Sequence, residues 1–430
     1  MKKVILIIIL LVFFIPKVFA VTLPEALTQA YKNNPELNAE RENIKVSEED
    51  LNISKGNYLP TLTLSGSKSK EDTNKLTNQS GGDATITNVD PQSTSITIEQ
   101  TLIDFGRSAE FKKKKIGLDL AKAKLLKTEQ DILYKATEAF TGLIVANEML
   151  KINGRNLKLL QRQVENDKVR LEIGKITVSD LAQSESSLAG AQAQFIQAEN
   201  DVVTNKLNYE NVIGKISDPN ELKKSLKAFV AIPESLSNAI ELSQLNNPNI
   251  KIAKFELEQA EKDIQIARSD LFPTATLSLE RSYSEDLSTT YDEREKDILK
   301  ATVSWPFYSG GTKIAKVNKN RNLKIRKKLL LDNEIKTNNT NVASAWSNLL
   351  SSKSFLAAVR LQVKAAENAN EGMSAEYERG SRTTLDVIQS NTLLLNAQIS
   401  LVNSESNYLL AQYNLLKSIG LLNSDYLKLK

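Results

Sequence analysis

The 430-residue chain contains no cysteine and no histidine. Without cysteine there are no disulfides, no thiolate metal sites and no lipid-bearing cysteine at a processed N-terminus. Without histidine the commonest general base and metal ligand are gone. Only carboxylates remain for catalysis, and no paired-acid constellation stands out. The chain reads as a non-enzyme with neither cofactor nor metal. Proline is scarce and unevenly placed. All ten lie at positions 16, 24, 35, 60, 91, 219, 233, 248, 273 and 306, which leaves 92–218 and 307–430 free of it. Proline breaks helix interiors, so these two stretches can hold very long helices. An excess of one charge is missing too. The 56 basic residues, less Lys2, Lys3 and Lys17 of the leader described next, number 53 against 52 acidic ones. Such a balance gives no reason to expect nucleic acid.

Long apolar runs are absent except at the N-terminus. Residues 4–15 are uninterrupted apolar, preceded by Lys2 and Lys3 and followed by Pro16 and the small-residue end Val18-Phe19-Ala20. A helix of this length spans only about 18 Å, short of a roughly 30 Å hydrocarbon core. Residues 1–20 therefore read as a cleaved secretory signal rather than an anchor. The exported chain has no later stretch able to cross a membrane as a helix. If it crosses one, it does so as a closed β-barrel.

What is present is a duplication. Asn33-Asn34-Pro35 recurs as Asn246-Asn247-Pro248, and Pro60-Thr61-Leu62-Thr63-Leu64-Ser65 as Pro273-Thr274-Ala275-Thr276-Leu277-Ser278, both at an offset of 213. Farther on, Gly174, Asp180, Gln183, Ser184, Ala191, Gln192 and Gly214 recur as Gly380, Asp386, Gln389, Ser390, Ala397, Gln398 and Gly420, at an offset of 206. Two copies of one unit must pack quasi-symmetrically. The organisation predicted is a signal at 1–20, a first repeat at 21–214, a linker at 215–233, a second repeat at 234–420 and a C-terminal segment at 421–430.

Each proline-free arm has one interruption, Gly174-Lys175-Ile176-Thr177-Val178-Ser179-Asp180 and Gly380-Ser381-Arg382-Thr383-Thr384-Leu385-Asp386. Each reads as a glycine helix stop, a short turn and a Ser/Thr/Asp helix start. Each arm is thus a helical hairpin with its tip at 174–180 or 380–386. The outgoing helices, about 106–172 and 311–379, are each on the order of 100 Å long at about 1.5 Å per residue. Apolar residues recur every seventh position: Leu143, Leu150, Leu157, Val164 and Leu171 before the first tip, and Leu181, Leu188, Phe195, Val202 and Tyr209 after it. Val387, Leu394, Leu401, Tyr408 and Leu415 follow the second tip, beside a parallel seam from Ile388 to Leu416. Small residues sit three positions after the large seam (Ser184, Ala191, Ala198; Ser390, Ala397, Ser404, Ala411). This pattern fits knobs-into-holes packing. It suits equally a closed ring of helices and an antiparallel four-helix coiled coil. The basic runs 112–115 and 326–328 read as solvated helix faces.

Before each arm the period changes to two. Strands are predicted at about 60–68, 94–104, 273–282 and 297–307, with polar loops near 66–92 and 281–296. Ten tilted residues are roughly enough to cross an outer membrane, but barrels start at about eight strands, so four strands demand oligomerisation. Tyr283, Trp305, Phe307 and Tyr308 are candidate interfacial aromatics.

In order and spacing, these residues resemble the TolC family of outer-membrane efflux and secretion channels. The likeness rests on Leu23-Pro24-Glu25-Ala26-Leu27, Asn33-Asn34-Pro35 and Tyr58-Leu59-Pro60. It continues through Gln100-Thr101-Leu102-Ile103-Asp104-Phe105-Gly106-Arg107, Trp305-Pro306-Phe307-Tyr308-Ser309-Gly310-Gly311 and Gly380-Ser381-Arg382-Thr383-Thr384-Leu385-Asp386-Val387. It implies a mainly α fold with a small β part: long antiparallel hairpins forming a trimeric α-barrel, and four strands per chain in a twelve-stranded outer-membrane barrel. It implies an equatorial belt holding 215–233 and 421–430. The function implied is a passive exit duct of a tripartite efflux pump or type I secretion system, in the outer membrane and extending into the periplasm. Its partners would be two further copies, a periplasmic adaptor, an inner-membrane transporter and outer-membrane lipid. The resemblance places a gate at the hairpin tips. Asp386 matches an aspartate of a constriction ring, where three copies would form a cation filter with raised carboxylate pKa values. Gln389 stands where some members carry a second aspartate. Asp180 is the first-repeat counterpart, and Arg382, Tyr377 and Ser179 match positions that close the gate between hairpins. Asp180 and Asp386 both also begin helices, where a carboxylate satisfies free N–H groups without any gate. The alternative function is a periplasmic coiled-coil adaptor or structural protein without a pore.

Overall fold

A computed structural model describes residues 21–72, 88–216, 218–225, 228–288 and 291–429. The predicted signal at 1–20 lies outside the described residues. The chain divides into two compact units. One comprises Met1–Arg41, Lys124–Ile250 and Glu334–Lys430, and the other Glu42–Ala123 and Lys251–Asn333.

The helices are α1 (Leu23–Asn33), α2 (Pro35–Gly56), α3 (Arg107–Glu172), α4 (Val178–Val212), α5 (Leu236–Asn246), α6 (Pro248–Ser269), α7 (Thr312–Glu378), α8 (Thr384–Ile419) and α9 (Ser424–Leu427). The proline-free arms thus become α3–α4 and α7–α8, with outgoing helices of 66 and 67 residues. The first unit has a large core and, apart from it, a small cluster of Val359, Val363 and Ala397. Phe140 and Leu143 of α3, Tyr209 of α4, Val342 of α7 and Leu415, Leu416 and Ile419 of α8 are buried in the large core. Ile216, Leu222 and Val230 of the linker and Leu422, Leu427 and Leu429 of the C-terminal segment pack into the same core. Tyr426 Oη donates to Ala231 O at 2.9 Å, tying the two segments together.

The duplication is visible in the bonds. Asn34 Oδ1 accepts from Glu36 N–H at 3.0 Å to start α2, while its Nδ2 donates to Val212 O at 3.2 Å at the end of α4. Asn247 repeats this at the next copy: its Oδ1 accepts from Asn249 N–H at 2.8 Å and its Nδ2 donates to Ser418 O at 2.9 Å. On α4 the small positions Ser184, Ala191 and Ala198 are buried, with Tyr209 near its end. Small side chains let helix axes approach closely, and large neighbours such as Ile196 and Leu207 stay exposed in the single chain.

The second unit holds an antiparallel sheet of β1 (Thr61–Lys68), β4 (Gln92–Ile103), β5 (Thr274–Ser288) and β6 (Tyr291–Ser304), in the order β1-β4-β5-β6. A short pair, β2 (Glu71–Asp72) with β3 (Asn88–Val89), extends the first hairpin. The polar loop expected near 281–296 is instead ladder: Arg281 pairs with Asp297, Tyr283 with Glu295 and Ser284 with Arg294. Both faces of this outer stretch are polar, so no alternation marks it. Backbone hydrogen bonds, which ignore side-chain polarity, carry the hairpin on. The basic runs are also less solitary than expected: Lys113 reaches Asp263 at 2.6 Å, Lys114 reaches Asp50 at 3.2 Å and Lys327 reaches Glu256 at 2.7 Å.

The register sorts the sheet into two faces. One row reads Leu62, Ile98, Leu279, Leu299; on the same face the row on one side carries Gln100, Leu277 and Ala301, with Ile103, Ala275 and Val303 beyond it, and the row on the other side carries Leu64 and Ile96 but also the charged pair Arg281 and Asp297. The opposite face reads Thr61, Glu99, Ser278, Lys300, then Thr63, Thr97, Glu280, Ile298, then Ser65, Ser95, Ser282, Lys296. Only Ile298 breaks that polar face in these rows. The apolar face is uncovered, with Leu62 70% and Leu299 72% exposed. Aromatics border it: Tyr283 stands opposite Glu295, and Trp305 follows the end of β6 with the same parity as Val303. On β6 the apolar stretch of this face runs inward from Asp297 to Trp305, eight residues. At about 3.3 Å per residue and a tilt of about 40°, they rise about 20 Å, most of the roughly 25 Å height of an outer-membrane apolar band.

Candidate functional site: the hairpin tips

Both tips are built alike. Gly174 (φ 71°) and Gly380 (φ 83°) take the left-handed conformation that ends α3 and α7. Gly174 N–H donates to Leu171 O and Lys175 N–H to Arg170 O; Gly380 N–H and Ser381 N–H repeat this on Tyr377 O and Glu376 O. This is the paired closure of a helix end by glycine. Thr177 and Thr383 then cap α4 and α8. Thr177 N–H donates to Asp180 Oδ2 at 2.9 Å, and Asp180 N–H to Thr177 Oγ1 at 3.3 Å. Thr383 and Asp386 make the same two bonds at the same distances. Both aspartates thus complete reciprocal capping boxes. The backbone N–H of the threonine first, then its hydroxyl, holds each carboxyl below the usual aspartate range. In the single chain the shift at Asp386 is therefore opposite to that expected of a three-carboxylate ring.

The remaining predicted residues separate. Ser179, Arg382 and Gln389 are exposed. Arg382 Nε donates to Glu376 Oε2 at 2.6 Å within its own hairpin. Tyr377 is buried, and its bonds do not go to Ser179 or Asp180. Its hydroxyl donates to Asp167 Oδ1 at 2.6 Å, lies 3.2 Å from Thr384 Oγ1, and accepts from Gln163 Nε2 at 3.1 Å. Arg170 caps its ring at 4.0 Å from the centroid. Burial first, then the bond to Asp167, pushes its phenol up.

Asp167 is the residue that sequence reasoning missed. Its carboxylate is 0% exposed. It accepts from Tyr377, from Gln163 Nε2 at 3.0 Å and from the Ser184 hydroxyl. With Thr384 beside Tyr377, one buried carboxylate gathers α3, α4, α7 and α8. A signal existed. Ala146, Asn153, Leu160 and Asp167 recur every seventh residue and all are buried, so a charge stands in a core seam. The repeat also diverges here in a complementary way: at the offset of 206, Asp167 corresponds to Met373, and Tyr377 to Leu171.

The duplication, which gives each half a strand pair and a capped hairpin, is found by comparison with known proteins as well. The outer membrane efflux protein model matches residues 26–215 and again 239–421. The chain belongs to the outer membrane efflux protein family. It is similar to the outer membrane efflux protein BepC of Brucella suis biovar 1, 28% identical over 413 residues that cover 95% of this chain and 87% of that one. It is 22% identical over 426 residues to outer membrane protein TolC of Escherichia coli K12, covering 94% and 83%. It is 21% identical over 417 residues to the alkaline protease secretion protein AprF of Pseudomonas aeruginosa, covering 96% and 87%. In fold it resembles the CmeC outer membrane channel of Campylobacter jejuni, with a TM-score of 0.80 and 15% identity over 93% of this chain and 85% of that one.

As a member of this family the chain is an outer-membrane channel for efflux or secretion, extending into the periplasm. The reading as a pore-free adaptor is set aside by that membership. Sheet polarity agrees: the apolar face suits lipid and the Ser/Thr face suits water.

Proposed function

We propose that three copies of this chain form the passive exit duct of a tripartite efflux pump or type I secretion system. The observation that carries the reading is the four-stranded sheet, apolar on one face and polar on the other, with β1 and β6 left as edges. An open edge inside a membrane leaves backbone groups without partners, and closing it takes about eight strands or more. Three copies supply twelve strands and abolish the edges. The large residues left exposed beside the small seams, Ile196 and Leu207 among them, are the surface a neighbouring copy would cover.

Segments 215–233 and 421–430, both with described apolar residues packed into one core, form the belt of this assembly. The tips form its periplasmic end, where a periplasmic adaptor and an inner-membrane transporter deliver cargo. Energy comes from the transporter, and the duct performs no chemistry of its own. In the closed state Tyr377 holds the two hairpins of one chain together through Asp167, Arg382 stiffens the second tip through Glu376, and Asp386 lies at the constriction with Gln389 one turn behind it. Asp180 and Ser179 shape the first tip. Conductance in planar bilayers tests the reading: purified full-length protein gives discrete pores, and a preparation of correct fold that never conducts overturns it.

A further inference from the structure

The periplasmic border of the sheet carries a groove that the duct itself does not use. It lies in the second unit and is lined by Arg268, Leu271, Phe272, Ile314, Val317, Asn318 and Arg321. Two contacts place it at the apolar face rather than the polar one. Trp305, of apolar-face parity, donates its Nε1–H to Leu271 O at 3.1 Å. Phe105, two residues beyond Ile103 and of its parity, packs against Phe272 with ring centroids 5.2 Å apart and the rings tilted by 46°. Phe272 and Ile314 are exposed, as are Trp305 and its neighbour Phe307. The apolar half of the groove therefore continues the lipid-facing surface.

The other half is cationic and unpaired. Arg268 has no side-chain partner among the described residues, although it stands in the last turn of α6. Arg321 Nη1 donates to Asn318 Oδ1 at 3.0 Å and meets no carboxylate. No acidic residue lines the groove, and nearby Asp270 is held by Lys316 at 2.6 Å. Two guanidinium forks beside exposed apolar side chains, at the edge of a membrane-embedded face, match a phosphate with hydrocarbon attached.

We propose that this groove binds an anionic phospholipid. Arg268 and Arg321 hold its headgroup phosphate, and its acyl chains lie over Phe272, Ile314 and the apolar face. A free phosphate would leave the apolar half without a use. The proposal rests on the reading of the sheet as membrane-spanning, and it deepens that reading by fixing the channel's depth in the bilayer.

The test takes the full-length protein in neutral detergent, adds dioleoyl phosphatidylglycerol, dioleoyl phosphatidylcholine or inorganic phosphate, and counts retained lipid by native mass spectrometry. The wild type is expected to keep the anionic lipid about tenfold better than the zwitterionic one, and Arg268→Gln with Arg321→Gln to lose that preference. Arg326→Gln with Lys328→Gln, changed on the same helix outside the groove, should keep it. Equal retention by wild type and the groove variant overturns the proposal, as does displacement of the lipid by an equal concentration of phosphate. A wild type that keeps no lipid, with a groove variant that loses its oligomer, assigns the groove to a neighbouring copy and also overturns it. Conductance of the same preparations separates the two claims. Pores without lipid preference sink the lipid site alone. Lipid preference without pores sinks the duct alone.

Discussion

Asp167 and Tyr377 divide one job between the two repeats. Neither has its partner at the equivalent position of the other copy, so the bond exists once per chain. A buried carboxylate that loses its donors carries an uncompensated desolvation cost, whereas its amide analogue weakens the bond and keeps the shape. Tyr377→Phe and Asp167→Asn are each expected to raise closed-state conductance in planar bilayers. Each should lower stability by about 1–3 kcal/mol, and the double variant should do little more than either single one. Additive effects on conductance would break the link between them. Asp386 obeys a different logic. Its folded-state pKa is depressed, so its capping contribution is full at neutral pH and is lost as pH falls through the ordinary aspartate range to the lowered folded value. Amide exchange around 383–387 should therefore quicken on acidification. Asp386→Ala should quicken it at neutral pH and also weaken cation selectivity of the open pore. Unchanged selectivity would leave Asp386 a cap and nothing more.

At the level of elements, the sheet shows how little of a strand its own periodicity reveals. The inner halves of β5 and β6 alternate because one face meets lipid and the other water. Their outer halves, Arg281 to Ser288 and Tyr291 to Asp297, are wet on both faces and show no period, so they read as loop. The helices were more legible. Proline exclusion, glycine stops and Thr caps fixed α3, α4, α7 and α8 to within a residue or two, because those signals act locally on the backbone. The face assignment carries a prediction. Leu279→Lys, in the middle of the apolar band, should cost about 2–4 kcal/mol in urea unfolding from lipid vesicles. Thr276→Lys, three residues away on the polar face, should cost far less and change conductance instead. Equal costs would deny that the two faces meet different solvents.

For the whole molecule, the open edges β1 and β6 are the deciding feature. One cysteine in each edge strand would meet only across copies, and the native chain has no thiol to compete. Oxidation of such a double variant in membranes should lock chains into covalent trimers. Products limited to closed monomers would mean that the sheet curls on itself and needs no partner. The same assembly would gather three Asp386 side chains, of which a single chain supplies one, as a helix cap.

The sequence by itself determined the duplication and the two long hairpins with their turn chemistry. Each of these is written in nearest neighbours or in a fixed period along the chain. Tertiary structure decided which side chains met. Tyr377 finds Asp167, which lies 210 residues away, and the charge at 167 acquires meaning only inside a seam closed by Ser184 from one helix and Tyr377 from another. Arg268 and Arg321 become a pair only when α6 and α7 are folded against the foot of the sheet. Local backbone preferences are readable in one dimension, while the pairing of a buried charge depends on contacts between segments that no local pattern couples.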